Sequence, residues 1–244
     1  MADMNLIFDD RLAPITSTIG FLDAPFSVAA NAFETWERGI FEPLGISLTR
    51  GGVAGTLEQV LESLLPLTSV TRRRYLFIPT NSSWTAFIDN GHQGTDAFAP
   101  MSYLAKRIGC RGMRVTAVPD TIEGEFRGAG GRYGGVVWEV YGPEQTDFLN
   151  YVRSVSAVND GGRWDFSQSG TPFPFEEMDR YRARRIKDRF TVDMLSRYLA
   201  ELGLRPFDED FYLPGSTSTE RIELHGPRPP GMREFSLAEA RRHY

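Results

Sequence analysis

Short apolar runs separated by turn residues, with a few stretches at helical spacing, set the organisation of this chain. Phe26, Ala29, Ala30, Phe33 and Glu37 recur at intervals of three and four, which predicts a helix closed by Gly39 and Pro43. Thr56–Leu65 is the clearest amphipathic segment. Leu57, Val60, Leu61, Leu64 and Leu65 share one face, and Thr56 with Gln59 forms a capping box ahead of the stop at Pro66. Ala99–Ile108 predicts a further helix, with Tyr103, Leu104 and Ile108 inward and Gly109 as its end. Phe175–Leu202 reads as a pair of helices. Glu176, Glu177 and Asp179 lead it and basic residues follow, an order that suits the helix macrodipole. Thr191 caps the second of these, which turns Leu195, Tyr198, Leu199 and Leu202 to a core before Gly203.

Strand signals come mostly in pairs. Tyr75–Ile78 and Trp84–Asp89 flank the turn residues Pro79–Ser83. Arg114–Val118 and Val136–Tyr141 flank Gly124–Gly135, where six glycines in twelve residues predict a mobile hairpin loop. Val152–Val158 and Trp164–Ser167 flank Asn159-Asp-Gly-Gly162, a hairpin turn. Asn5–Phe8 reads as strand or loop, with irregular chain after it. Leu44–Thr49 reads as a strand ending in a Gly51–Gly52 turn, and Arg221–Leu224 as a last strand. Without a βαβ rhythm, this pattern predicts an α+β fold: a largely antiparallel sheet built from hairpins, with flanking helices. Residues 1–226 are expected to form a single domain, and a break near 125–135 or 159–175 would mark two lobes. Leu57, Leu61, Leu64, Tyr75, Phe77 and Trp138 are the predicted core. From Pro227 the chain turns Pro-rich and then charged, so 227–244 is expected to be a poorly packed tail or one docked on a partner.

Composition narrows the picture. The 244 residues carry 27 Lys and Arg against 32 Asp and Glu, a net charge of −5, which weighs against nucleic-acid binding. The run Arg180–Arg189 holds six cations in ten residues, but few aromatics interleave. It reads as a solvated helix face with pairs such as Glu176–Arg180. A single cysteine, Cys110, forms no internal disulfide, and the acidic N-terminus lacks a secretion pattern, so a cytoplasmic protein is expected. No apolar stretch approaches the roughly 18 residues of a membrane span, and no membrane partner is expected.

Candidate chemistry centres on Asp89, His92 and Asp96, two carboxylates and an imidazole in one polar loop. Such a set suits a hydrolase or transferase that uses a base and its orienting acid. The structural alternative is a polar turn in which Asp89 and Thr95 cap local backbone. His225 and His243 lie far from His92 in sequence, so neither a metal site nor a cofactor is expected. Arg107, Arg111 and Arg114 around Cys110 would lower its pKa, against the reading of a half-buried inert thiol. The glycine-rich run lacks a phosphate-loop signature, and no G-x-S-x-G occurs. These absences favour a non-enzymatic binding protein whose partner is another, cationic protein. Small acidic proteins of the immunity type, which neutralise a basic toxin, have this character. Asp208, Glu209 and Asp210 are the candidate binding residues.

Overall fold

The computed structural model describes residues 6–121, 132–215 and 219–243. In chain order the elements are β1 (Thr18–Leu22), α1 (Phe26–Phe41), β2 (Ser47–Gly52), α2 (Leu57–Glu62), β3 (Leu67–Thr68), β4 (Arg74–Pro79) and β5 (Thr85–Asp89). α3 (Phe98–Ile108), β6 (Gly112–Val118), β7 (Gly135–Tyr141), β8 (Tyr151–Asp160) and β9 (Arg163–Gly170) follow. The chain ends with α4 (Val192–Glu201), β10 (Glu220–His225), β11 (Glu234–Phe235) and α5 (Leu237–His243). Nine strands form one sheet in the order β2-β10-β4-β5-β1-β6-β7-β8-β9, and every neighbouring pair is antiparallel. The fold is α+β, as the hairpin pattern predicts.

Each face of the sheet has its own core. On one face α1 and α3 cover the strands around Phe33, whose ring lies 4.7 Å from Tyr75, 5.2 Å from Phe77 and 5.4 Å from Phe87. Gly20 lets α3 approach β1: a Cβ there would meet Met101 Sδ at 2.8 Å. On the other face α2 and α4 bury Leu57, Leu61, Leu195 and Tyr198 against Ile19, Ile88, Val115 and Trp138. All six predicted core residues are buried. Thr56 caps α2 with the expected reciprocal bond from Gln59, and Thr191 caps α4.

Several expectations need correction. The chain before α1 is not irregular: Thr18–Leu22 is a central strand, and its uniform burial gave no alternation to detect. Of the two readings at Asn5–Phe8, the described residues follow the loop, with a tight turn at Ile7–Asp10, whereas Gly51–Gly52 extends β2 rather than ending it. α2 stops at Glu62, short of Pro66. Tyr103 is exposed, stacked on Trp36 at the surface. The tail is packed on its own chain: β11 pairs with β3, and Phe235 and Ala240 are buried. Of the glycine-rich stretch 124–135, residues 124–131 lie outside the described residues and Gly135 already opens β7; the flanking strands pair from Val118↔Gly135 to Gly112↔Tyr141.

The largest correction concerns 175–190, where two short 3₁₀ turns stand in place of a helix. Pro172 and Pro174 deny the upstream chain helical geometry. Glu176 then leaves the solvent and reaches Arg153 on β8, with Oε2 2.6 Å from Nη2 and both side chains at most 1 % exposed. The expected Glu176–Arg180 pair is therefore absent. Glu176 also accepts bonds from Phe173 N–H and the Tyr181 hydroxyl, while Arg153 donates to Gln168 Oε1 and to the Ser169 and Gly170 carbonyls. Removing one partner strands the other charge in the core. Glu176→Ala should therefore cost about 3–5 kcal/mol in urea denaturation. Leu61→Ala, a cavity without a charge, should cost about 2–5 kcal/mol. A loss below about 1 kcal/mol for Glu176→Ala would show that the guanidinium reaches water instead.

Candidate functional site

A groove of about 920 Å³ opens on the α2/α4 face, at the end of the sheet where β6 stops and β7 begins. Three stretches build it. The first is the turn Ile7–Asp10, in which Phe8, Asp9 and Asp10 are left-handed, with φ of 53°, 49° and 65°. Ile7 and Phe8 are buried beneath it, and Asp9 projects outward. The second is the base of the β6–β7 hairpin. Asp120 accepts bonds from Gly134 N–H and the Asn159 amide, and the Thr121 hydroxyl accepts one from Arg132 N–H. The third runs from Lys187 to the α4 cap at Thr191, where Asp188 accepts a bond from Arg185 Nε at 2.6 Å.

The electrostatics follow from this assembly. Asp10 forms an ion pair with Arg132 on the groove floor. Four aspartates (Asp9, Asp10, Asp120 and Asp188) face one arginine and one lysine, Arg132 and Lys187. Leu6, Val136, Trp164, Phe190 and Val192 supply apolar wall. Negative charge over an apolar surface suits a ligand with a cationic tip on an aliphatic stem. Sequence reasoning missed this site, because its acids are scattered through the chain and no local spacing connects them.

The residues singled out from the sequence lie elsewhere. Asp208, Glu209 and Asp210 are exposed on a 3₁₀ turn anchored by buried Phe211. The bond from Asn81 N–H to Phe211 O ties this turn to the end of β4, so it sits at the opposite end of the strands from the groove. In the Asp89 loop, the carboxylate accepts bonds from Gly91 N–H at 2.7 Å and Asp96 N–H at 2.9 Å and faces Arg72. Thr95 Oγ1 accepts the bond from Asp89 N–H. His92 Nδ1 lies 3.2 Å from the Thr68 carbonyl, and its ring stacks on Phe235. Asp96 points to solvent. These contacts clasp the loop to its own backbone and to the C-terminal segment. Among the described residues no His, Cys, Asp and Glu cluster suits a metal. Cys110 is not activated: burial and the nearby Asp23 push its thiol up to about 11, and Arg111 pairs with Asp23. No helix among the described residues is long and apolar enough to cross a membrane. Comparison with protein families, with curated proteins and with solved structures finds no match.

Two buried acids lie apart from the groove, beneath α1. Burial pushes the Asp89 carboxyl up to about 6, with Arg72 and its two backbone donors opposing. Burial likewise pushes Glu37 up to about 7, opposed by its hydrogen bond with the Tyr75 hydroxyl. Glu37 Oε2 has no hydrogen-bond partner. The folded protein thus holds these protons more tightly than the unfolded chain. Stability falls as pH rises from the ordinary carboxyl value near 4.5 to about 7 for Glu37. Glu37→Gln removes this titration. Its stability relative to the parent should rise by on the order of 2–3 kcal/mol between pH 4 and pH 8 in chemical denaturation. Identical pH slopes for the two proteins would refute the assignment.

Proposed function

We propose that this chain is a non-catalytic binding protein whose groove receives a cationic segment of another protein. The observation that carries this reading is the lining of the groove, with four aspartates around an apolar wall that includes Trp164. A lysine or arginine laid along that wall buries its methylene stem and keeps its charge among the carboxylates. The exposed Asp208–Glu209–Asp210 turn lies too far away to share that contact, and its role is long-range attraction. A basic toxin neutralised by an immunity-type protein is one partner of this chemistry. A cytoplasmic setting fits a chain with one thiol. The satisfied geometry of the Asp89 loop supports a structural role for it rather than catalysis.

Calorimetric titration of the full chain with a deca-arginine peptide tests the reading. Asp9→Lys reverses an exposed groove charge and should weaken binding roughly fivefold, with the whole affinity falling as salt rises. Reversing Asp208, Glu209 and Asp210 together should slow association in stopped flow and leave dissociation unchanged. His92→Ala and Asp96→Ala should leave binding intact. If Asp9→Lys has no effect while the triple reversal abolishes binding, the contact surface is the acidic turn and not the groove.

A further inference from the structure

β9 is the last strand of the nine-stranded sheet. The geometry of its hairpin fixes which backbone groups point outward. Gly161 and Gly162 form a two-residue turn with φ of 61° and 97°, so Asp160 and Arg163 are the first hydrogen-bonded pair. Antiparallel pairs alternate from there. Arg163, Asp165, Ser167 and Ser169 direct their backbone groups to β8, and Trp164, Phe166 and Gln168 direct theirs away from it. The inner side of the hairpin is in the same phase, since Asn159 N–H donates to the Gly134 carbonyl at 2.8 Å. Among the described residues, the backbone N–H and C=O of Trp164, Phe166 and Gln168 make no hydrogen bond. The turn Ile186–Asp188 packs against both β8 and β9, as a segment lying on the sheet face does, and Ser167, Gln168 and Ser169 are exposed. No proline or lysine interrupts β9, although these are the usual defences of a solvated edge.

We infer that this edge pairs with a second copy of the chain, β9 against β9, antiparallel about a two-fold axis at Phe166. That axis engages Trp164, Phe166 and Gln168 and leaves Gly170 out. Trp164 meets Gln168 of the second copy and Phe166 meets its equivalent, each pairing supplying two backbone hydrogen bonds. Side chains agree with it: Arg163 faces Ser169 of the second copy and Asp165 faces Ser167, so no like charges meet. Neighbouring registers fail. An axis at Asp165 sets two aspartates face to face. An axis at Ser167 draws in Gly170, whose φ is 83° and whose carbonyl is already held by Arg153. The edge also carries no net charge, since Arg163 and Asp165 cancel. It therefore lacks the bias toward a cationic strand that the groove shows.

Sedimentation of the full chain across the micromolar range tests this, with melting curves to confirm the fold of each variant. The parent should dimerise. Ser167→Asp places a carboxylate against Asp165 of the second copy, twice per dimer, and should weaken association roughly three- to tenfold. Ser167→Lys should strengthen it by a similar factor, and decides alone if Ser167→Asp does not fold. Hydrogen exchange should show the Trp164, Phe166 and Gln168 amides gaining protection with concentration, while Asp165 and Ser167 are protected throughout. A monomer at every concentration, or a dimer indifferent to both substitutions, overturns the proposal. Edge amides protected only on adding deca-arginine would assign the edge to that ligand and overturn it equally.

Discussion

The buried ion pair between Arg153 and Glu176 organises the half of the molecule that carries the groove. Desolvating two charges is costly, and the arrangement persists because nearly every donor and acceptor is satisfied. Glu176 takes Arg153, Phe173 N–H and the Tyr181 hydroxyl; Arg153 spends its remaining donors on Gln168 and the end of β9. One pair thus ties β8 and β9 to the chain that returns beneath the sheet. Phe173 and Phe175 then reach Trp138, and Tyr181 reaches Phe166. The return path carries Lys187, Asp188 and Phe190 to the groove, so its far wall depends on a buried charge pair that does not itself line the groove.

The two faces of the sheet are stabilised differently. Beneath α1 and α3 the core is aromatic and its polar groups sit deep, with Glu37, Tyr75, Arg72 and Asp89 in one buried cluster. Burial there outweighs the available donors, which is why both acids are raised. Around Arg153 and Glu176 the same cost is met by specific bonds. Acids that rise with burial make one face pH-sensitive, while a satisfied ion pair makes the other sensitive to mutation.

Much of the fold was legible because it is local. Hairpins announce themselves through turn residues between β-branched runs, and Thr56 with Gln59 marks a helix start within four positions. What failed was non-local. Thr18–Leu22 alternates nowhere because neighbours bury it on both faces. The acid-then-base order after Phe175 imitates a helix, and only Arg153, 23 positions earlier, explains why Glu176 turns inward. The Asp89 loop left two readings open in sequence, because polar groups in a glycine-containing loop look alike whether they bind backbone or substrate; here Asp89, Thr95 and His92 contact backbone groups. The groove was invisible for the same reason as the ion pair: Asp9, Asp120 and Asp188 meet only through the sheet.

The left-handed run Phe8-Asp9-Asp10 bears on what the groove is for. Each non-glycine residue in that region costs about 1–2 kcal/mol, and three stand in succession. Burial of Ile7 and Phe8 offsets the strain, at about 1.5–3 kcal/mol for each side chain. Glycine at position 9 would relieve part of it without disturbing either anchor. The chain instead keeps a carboxylate there, exposed and making no ion pair among the described residues. The other acids of the groove are held: Asp10 by Arg132, Asp120 by Gly134 and Asn159, and Asp188 by Arg185. Aspartate tolerates this backbone better than most side chains, and here the turn holds its carboxylate exposed at the groove. On the proposed reading, Asp9 is the group through which the groove would meet positive charge on a partner.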